Sequence, residues 1–216
     1  MESSLSLILN YLELCLVKFT KKLSIIFCSL TTALLNTAVI TNTYKSAAQA
    51  DGAELITNGG FENDPLVDPN NPNATNPNIT GWIKNGDPID TSGTRIDNFA
   101  NTGTQGLSLG GFSDLSYISQ NVPTVVNQYY RLTFYLGSTE EAPDLDNKFQ
   151  AFIREKPVCT KNNTSHQPYT QYTFYFQAKE TSTEIRFASR VKYAFLYLDD
   201  VSFKSTDQLG QNSVCE

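Results

Sequence analysis

Residues 129–136 alternate strictly between two sets of side chains, and this period of two is the feature that most constrains the fold. One set is Tyr130, Leu132, Phe134 and Leu136, and the other is Tyr129, Arg131, Thr133 and Tyr135. Successive side chains of an extended strand point to opposite faces of a sheet. The segment therefore predicts a β-strand with one face in an apolar core.

The same pattern recurs along the chain, and no long window has apolar residues at helical spacing. Alternating apolar positions are Phe149, Ala151 and Ile153; Tyr172, Phe174, Phe176 and Ala178; and Ile185 and Phe187. Further strands are expected around 54–57, 106–109 and 115–122, with a long final strand over 195–203. About eight or nine short strands without crossover helices predict an all-β antiparallel β-sandwich.

Three polar segments separate these strands. Residues 63–80 are rich in Asn, Asp and Pro, and proline both fixes φ and lacks a backbone donor, so this stretch is expected to be a solvated loop. Residues 138–147 and 156–168 are also predicted to be loops. The sandwich is expected to span 51–204, followed by a polar tail over 205–216.

The first 50 residues have the pattern of a cleavable signal peptide. A basic cluster at Lys18, Lys21 and Lys22 precedes an apolar run over 23–40, and small residues end at Ala48-Gln49-Ala50. Polar residues interrupt the apolar run, which favours cleavage after Ala50 over a membrane anchor. Residues 1–17 place two acidic residues before the basic cluster, which suggests that translation starts near Val17. The chain is therefore expected to be secreted, to the exterior, the periplasm or the cell surface.

The mature chain would be acidic. Cleavage removes four of the 16 basic and two of the 22 acidic residues, which leaves 166 residues with a net charge of −8. Such a surface repels nucleic acid and anionic membrane. Of the four cysteines, Cys159 and Cys215 remain; export permits a disulfide between them, and two free thiols are the alternative.

Six short segments carry a resemblance to a known class. They are Glu54–Glu62 (ELITNGGFE), Gly81–Trp82, Gly106–Gly110, Ser119–Val122, Tyr130–Phe134 and Phe195–Ser202. In this order they resemble the motifs of jelly-roll carbohydrate-binding modules of the family 4, 9 and 22 type and their galactose-binding-like relatives. They also resemble a plant cell-wall family with the same jelly roll. The resemblance implies a galactose-binding-like sandwich and an exported, non-catalytic, glycan-binding protein.

The resemblance also implies a structural Ca²⁺. Glu62 and Asp199 would hold it, helped by backbone carbonyl groups near Asn58 and Gly60, since Ca²⁺ prefers oxygen ligands. Strand alternation places Asp199 on the same face as Val201 and Phe203, where a buried carboxylate needs a counter-charge. The alternative is that Asp199 caps a turn by hydrogen bonding and that Glu62 is solvated.

A sugar site needs aromatic rings and planar hydrogen-bonding groups. The outward positions of the middle strands offer them, and related modules often bind glycan across one concave sheet face. The candidate residues are Arg131, Tyr135, Gln150, Phe152, Arg154, Tyr175 and Gln177. The alternative is that another layer or a loop covers this face. Trp82 is expected to pack at the edge of the core.

Catalysis is not expected from this sequence. The only histidine, His166, lies in a polar loop, and the chain has no nucleophile elbow. Glu62 and Asp199 could act as a glycosidase pair only across a cleft, which a strand seam does not provide. Three functions remain open: glycan binding, a structural or adhesive role with an envelope protein as partner, and a small glycoside hydrolase.

Overall fold

The computed structural model describes residues 52–66, 68, 75–86, 93–139, 141, 145–193 and 195–215. The described residues belong to one compact unit, and none of them forms a helix long and apolar enough to cross a membrane. The signal peptide predicted over residues 1–50 lies outside the described residues.

Two antiparallel sheets form the molecule, which confirms the predicted all-β sandwich. The strands are β1 (Ile83–Asn85), β2 (Arg95–Asp97), β3 (Gly106–Leu109), β4 (Ser116–Pro123), β5 (Tyr129–Ser138), β6 (Asn147–Ile153), β7 (Lys156–Asn162), β8 (Gln167–Gln177), β9 (Ser182–Val191) and β10 (Leu196–Thr206). Sheet one has the order β1-β4-β9-β6-β7, and sheet two has the order β2-β3-β10-β5-β8.

Aromatic side chains fill the space between the sheets. Phe134 of β5, in sheet two, lies 5.2 Å from Phe187 and 5.7 Å from Phe149 of sheet one, measured between ring centroids. Its own sheet adds Tyr172 at 5.5 Å. The fully buried alternate positions of β5 and β6 confirm the alternation predicted for these strands, since only the inward set contributes to the core.

The segment before β1 connects the two sheets. Leu55 donates its amide to Phe203 of β10, and the amide and carbonyl groups of Thr57 pair with the side chain of Gln120 in β4. Trp82 is buried near Phe61 and Phe187. It therefore packs in the core, as expected.

Strand β10 contains a β-bulge that reverses the predicted orientation of Asp199. The register with β5 shifts between Asp199 and Ser202, and Asp200 has φ 49°. The extra residue breaks the alternation. Asp199 consequently pairs with Tyr135 on the outer face of sheet two, and the prediction that it shares a face with Val201 and Phe203 is wrong.

Other sequence predictions also differ from the structure. Residues 54–57, expected to be a strand, form only an isolated bridge between Glu54 and Lys204. Residues 156–162 form edge strand β7, not a loop, because the Lys and Asn side chains that suggested a loop are those that an exposed sheet edge tolerates. Strand β10 continues to Thr206, two residues beyond the predicted end of the sandwich.

The remaining C-terminal residues, 207–215, form a tail that is fixed to both sheets. Ser213 donates its amide to Thr173 of β8, and Asn212 accepts the amide of Tyr175 through its side chain. Cys215 forms a disulfide with Cys159 of β7, with the Cα atoms 5.2 Å apart. The tail therefore covers part of the β8 edge and connects sheet two to sheet one.

Candidate functional site

The seven predicted sugar-binding residues do not share one surface. Gln150 and Phe152 belong to β6 in sheet one, whereas the predicted residues of β5 and β8 belong to sheet two. The latter are Arg131, Tyr135, Tyr175 and Gln177. Arg154 lies in the β6–β7 turn, with φ 60°. The prediction of one surface is wrong because the sequence does not reveal that β6 pairs with β9 and not with β5.

The outer face of sheet one carries a continuous cross-strand row. Ile83, Ser119, Arg186, Phe152 and Pro157 are paired in register across all five strands. Ile83, at one end of the row, is 57% exposed. Side chains that are directly opposite in neighbouring strands contact one another, so this row forms a single surface.

Arg186 is held between two aromatic rings. Its guanidinium carbon lies 4.5 Å from the ring centroid of Phe152 and 5.6 Å from that of Tyr117. The Arg186 guanidinium is also 3.5 Å from the carboxylate of Glu184. Cation–π contacts of this kind orient a guanidinium without using all of its donors, so the group is presented in a fixed plane.

The neighbouring row of side chains adds the amide group of Gln150 and a shallow depression at Ala188. Tyr117, Ala188, Gln150 and Thr160 are paired across β4, β9, β6 and β7. Ala188 is fully buried, so a small side chain lies between the larger Tyr117 and Gln150. We refer to Tyr117, Gln150, Phe152 and Arg186 as the arginine–aromatic face. It combines two rings with planar donors and acceptors, which is the chemistry needed to bind a sugar.

Two structural features cover parts of the outer face of sheet two. Gly210 of the tail packs on the ring of Tyr175, and Tyr135 pairs with Asp199, which is fully buried. The tail therefore covers this face at Tyr175, as the alternative expected, whereas Tyr135 keeps partial exposure.

The segment that buries Asp199 is a loop over residues 98–105, here named the clamped loop. Asn101 and Thr102 donate their amides to Asp199 Oδ2 at 2.7 and 3.2 Å, and their side chains donate to Asp200 at 2.7 Å.

The other end of the clamped loop is bound to Glu62. Its carboxylate accepts the amides of Thr104 and Gln105 at 2.7 and 2.9 Å and the Thr104 hydroxyl at 2.7 Å. Three carboxylates thus hold one loop through seven hydrogen bonds, each of the stronger, charge-assisted kind.

This arrangement does not fit the predicted calcium ligands. Glu62 and Asp199 face N–H donors where a cation would need oxygen atoms. The Asn58 carbonyl already accepts hydrogen bonds from Trp82 Nε1 and the Phe61 amide. In the described ranges, no group of three or more His, Cys, Asp or Glu side chains is placed to hold a metal. Calcium stays a prediction from the resemblance, and the hydrogen bonds favour the alternative in which Asp199 caps a turn.

The pKa of Asp199 is raised to about 6, chiefly by burial and to a lesser extent by the charge of the neighbouring Asp200. The backbone N–H groups of Asn101, Asp200 and Thr102 act in the opposite direction. Desolvation disfavours the charged form of a carboxyl group and hydrogen bonds to it favour that form. The N–H groups therefore compensate only part of the cost of burying this charge.

The comparisons with known proteins are consistent with this architecture. Residues 54–194 match a family described as a protein of unknown function, DUF642. The chain belongs to the DUF642 family. No curated protein sequence matches it.

Among solved structures, one similar chain is a family 61 carbohydrate-binding module in complex with β-1,4-galactotriose. It is 12% identical with a TM-score of 0.50, over 72% of this chain and 100% of that one. Another is the xylan-binding CBM22-1 domain of Xyn10C from Paenibacillus barcinonensis, which is 15% identical with a TM-score of 0.48, over 74% of this chain and 99% of that one. The family 61 likeness shows the fold. This DUF642 chain shares the β-sandwich fold of that module.

The sequence prediction missed Tyr117 and Arg186. Both occupy outward positions of predicted strands: Tyr117 precedes the inward Ile118, and Arg186 lies between the inward Ile185 and Phe187. The alternation could have identified them as outward, but it could not show that they flank Phe152.

Proposed function

We propose that this DUF642 protein is an exported, non-catalytic glycan-binding protein that holds a sugar chain across the arginine–aromatic face. The observation that carries the proposal is the stack of Arg186 between Tyr117 and Phe152, 5.6 and 4.5 Å from their ring centroids. An aromatic ring packs against the C–H face of a pyranose, and a fixed guanidinium donates hydrogen bonds to its hydroxyl groups.

The orientation of the face supports a chain ligand. The row from Ile83 to Pro157 crosses all five strands of sheet one, so several sugar units could contact protein along it. Polar side chains alternate with apolar ones along the two rows, with Ser119, Gln150 and Thr160 near Arg186. Apolar surface combined with oriented polar groups is typical of small-molecule sites.

The proposed ligand is a polysaccharide or an oligosaccharide, and the proposed compartment is outside the cytoplasm. The net charge of −6 for the full chain supports neutral partners over nucleic acid or an anionic membrane. No catalytic residue is assigned, and the carboxylates Glu62 and Asp199 support the clamped loop.

Affinity electrophoresis of the full chain through gels that contain soluble polysaccharides tests this proposal. We expect retardation on at least one neutral glycan. For Phe152→Ala, the affinity derived from the retardation should be about tenfold lower, since a stacked ring contributes about 1 kcal/mol or more. Tyr193→Ala removes a more accessible aromatic side chain, 61% exposed, from the β9–β10 turn and is the control for a general loss of surface aromatic groups.

Equal retardation of the wild type and Phe152→Ala on a bound glycan would remove this face from the proposal. Mobility that no glycan changes, together with self-association or capture of an envelope protein, would favour the adhesive alternative. Release of reducing sugar during the run would favour a hydrolase.

A further inference from the structure

The clamped loop carries an exposed aromatic residue on the opposite side of the sandwich. Phe99 stacks on Tyr197 of β10 with ring centroids 4.4 Å apart and remains 45% exposed. The Tyr169 hydroxyl donates to the Phe99 carbonyl oxygen at 2.8 Å. Together with the seven bonds to Glu62, Asp199 and Asp200, this contact fixes the position of an apolar ring that faces solvent.

Hollows lie on both sides of the stacked pair. One, of about 420 Å³, is lined by Phe99, Tyr197, Phe195, Arg95, Asp97 and Asn98. The other, of about 240 Å³, is lined by the same pair with Ser138, Thr139, His166, Gln167 and Tyr169. Because the two hollows share Phe99 and Tyr197, they form one groove with an aromatic ridge at its centre, named here the Phe99 groove.

The Phe99 groove has planar polar groups of balanced charge. Arg95 and Asp97 lie two residues apart in β2 and line the larger hollow together. The Arg95 guanidinium carbon is 5.2 Å from the ring centroid of Phe195, which orients it as Arg186 is oriented on sheet one. Since a cation and an anion are both present, the groove offers hydrogen bonds without a net charge, and this favours a neutral ligand.

The fixed position of the loop argues against a role limited to covering the sheet. A covering loop needs an apolar contact with the sheet, which Tyr197 provides. It does not need an exposed Phe99 ring with hollows on both sides. Rigid presentation of an aromatic side chain lowers the entropic cost of binding.

We propose that the Phe99 groove is a second glycan site, which binds one or two neutral pyranose units, and that the protein is bivalent. This extends the proposed function to another surface. Because the two sites lie on opposite sheets, one molecule could hold two glycan chains and cross-link a polysaccharide. Binding of two chains at once would raise the apparent affinity for a polymer beyond that for an oligosaccharide.

Nuclear magnetic resonance titration of the full chain with neutral oligosaccharides (β-1,4-galactotriose, xylohexaose and cellohexaose) tests the two sites separately. We expect at least one of them to shift amide signals of the clamped loop, including Gly103. The dissociation constant obtained from these shifts should rise about tenfold or more in Phe99→Ala. It should stay unchanged in Phe152→Ala. Trigalacturonate is the charge control and should give no shifts. Phe99→Ala also removes the stack on Tyr197, so its Tm should fall by a few degrees. It should stay folded, because the seven hydrogen bonds that hold the loop do not involve the Phe99 side chain.

The outcomes distinguish the two proposals. Shifts confined to β4, β6 and β9 would overturn the second site and leave the proposed function in place. Shifts confined to the Phe99 groove would support the second site and overturn the arginine–aromatic face. No shifts with any neutral oligosaccharide would overturn both sites.

A polymer assay tests bivalency directly. Turbidity of a soluble polysaccharide that carries the bound sugar should rise with the wild-type protein and stay at baseline with either Phe99→Ala or Phe152→Ala. Undiminished turbidity with Phe99→Ala would overturn bivalency through this groove.

Discussion

Gly103 lies directly against Glu62, so that a Cβ atom added to this glycine would come within 2.2 Å of the Glu62 carboxylate oxygen Oε1. Gly103 also has φ 72°, a conformation that costs other residues free energy. The contact lets Glu62 reach the amides of Thr104 and Gln105. One glycine therefore determines whether the carboxylate can hold the clamped loop.

Replacement of Gly103 by alanine should destabilise the protein by about 2 to 4 kcal/mol. The positive φ contributes about 1 to 2 kcal/mol, and displacement of Glu62 weakens hydrogen bonds to a charged group. Urea unfolding measures the difference. Gly60→Ala is the control, since a Cβ there meets nothing nearer than 3.8 Å, and it should change the free energy of unfolding by less than about 1 kcal/mol. Equal effects of both substitutions would contradict this role of Gly103.

The stability of the protein should depend on pH through Asp199. Its pKa is about 6 in the folded chain against 3.8 as the ordinary value, so the folded state binds the proton more tightly than the unfolded state. The favourable contribution is fully present below about pH 4 and is lost as pH rises through about 6, an effect of up to about 3 kcal/mol.

Asp199→Asn removes this titration. The free energy of unfolding, measured by urea at intervals from pH 4 to 7, should fall less steeply with pH in the variant than in the wild type. Asp97 also has a pKa raised by burial and leaves a residual slope in both proteins. Identical slopes would show that Asp199 titrates as an ordinary carboxyl group.

Calcium should leave the thermal stability of the protein unchanged. The carboxylate oxygens of Glu62 and Asp199 already accept hydrogen bonds from backbone N–H groups, and binding of a ligand raises Tm only if the folded state offers it a site. Scanning calorimetry with a chelator and then with millimolar Ca²⁺ makes the comparison. A rise in Tm with Ca²⁺ that Glu62→Gln abolishes would support the calcium site implied by the resemblance.

Loss of the disulfide should release the tail from β8. Cys159→Ser removes a link that closes a loop of 56 residues, which costs about 4 kcal/mol in the chain-entropy model. Hydrogen exchange should then accelerate at the amides of Thr173 and Tyr175, whose partners are Ser213 and Asn212 of the tail. Slow exchange at both amides in the variant would show that the hydrogen bonds hold the tail without the covalent link.

The strands with strict alternation could be predicted from the sequence because their inward positions are large and apolar. Residues 129–136, with Phe134 at the centre, are the clearest case, and the structure buries every expected position. Trp82 was also predicted correctly, since its position in the motifs that carry the resemblance placed it at the edge of the core.

The candidate sites depended on information that local patterns do not contain. Phe152 and Tyr135 have equivalent positions in alternating strands, yet they lie on opposite sheets because strand pairing is set by contacts distant in sequence. The orientation of Asp199 depended on a bulge, which adds one residue without a composition signal. Phe99 lies in a loop of small polar residues, where no periodicity indicates exposure.

The disulfide between Cys215 and Cys159 also has a mechanical consequence. Tension applied at the C-terminus would enter the molecule at β7, on the edge of sheet one, and the hydrogen bonds of β10 would not be the first to bear the load. A covalent bond withstands forces that separate strands one hydrogen bond at a time. With the disulfide reduced, the same force would first act on the tail and would then separate β10 from its neighbours β3 and β5. The redox state of the two cysteines therefore decides which sheet resists stretching first.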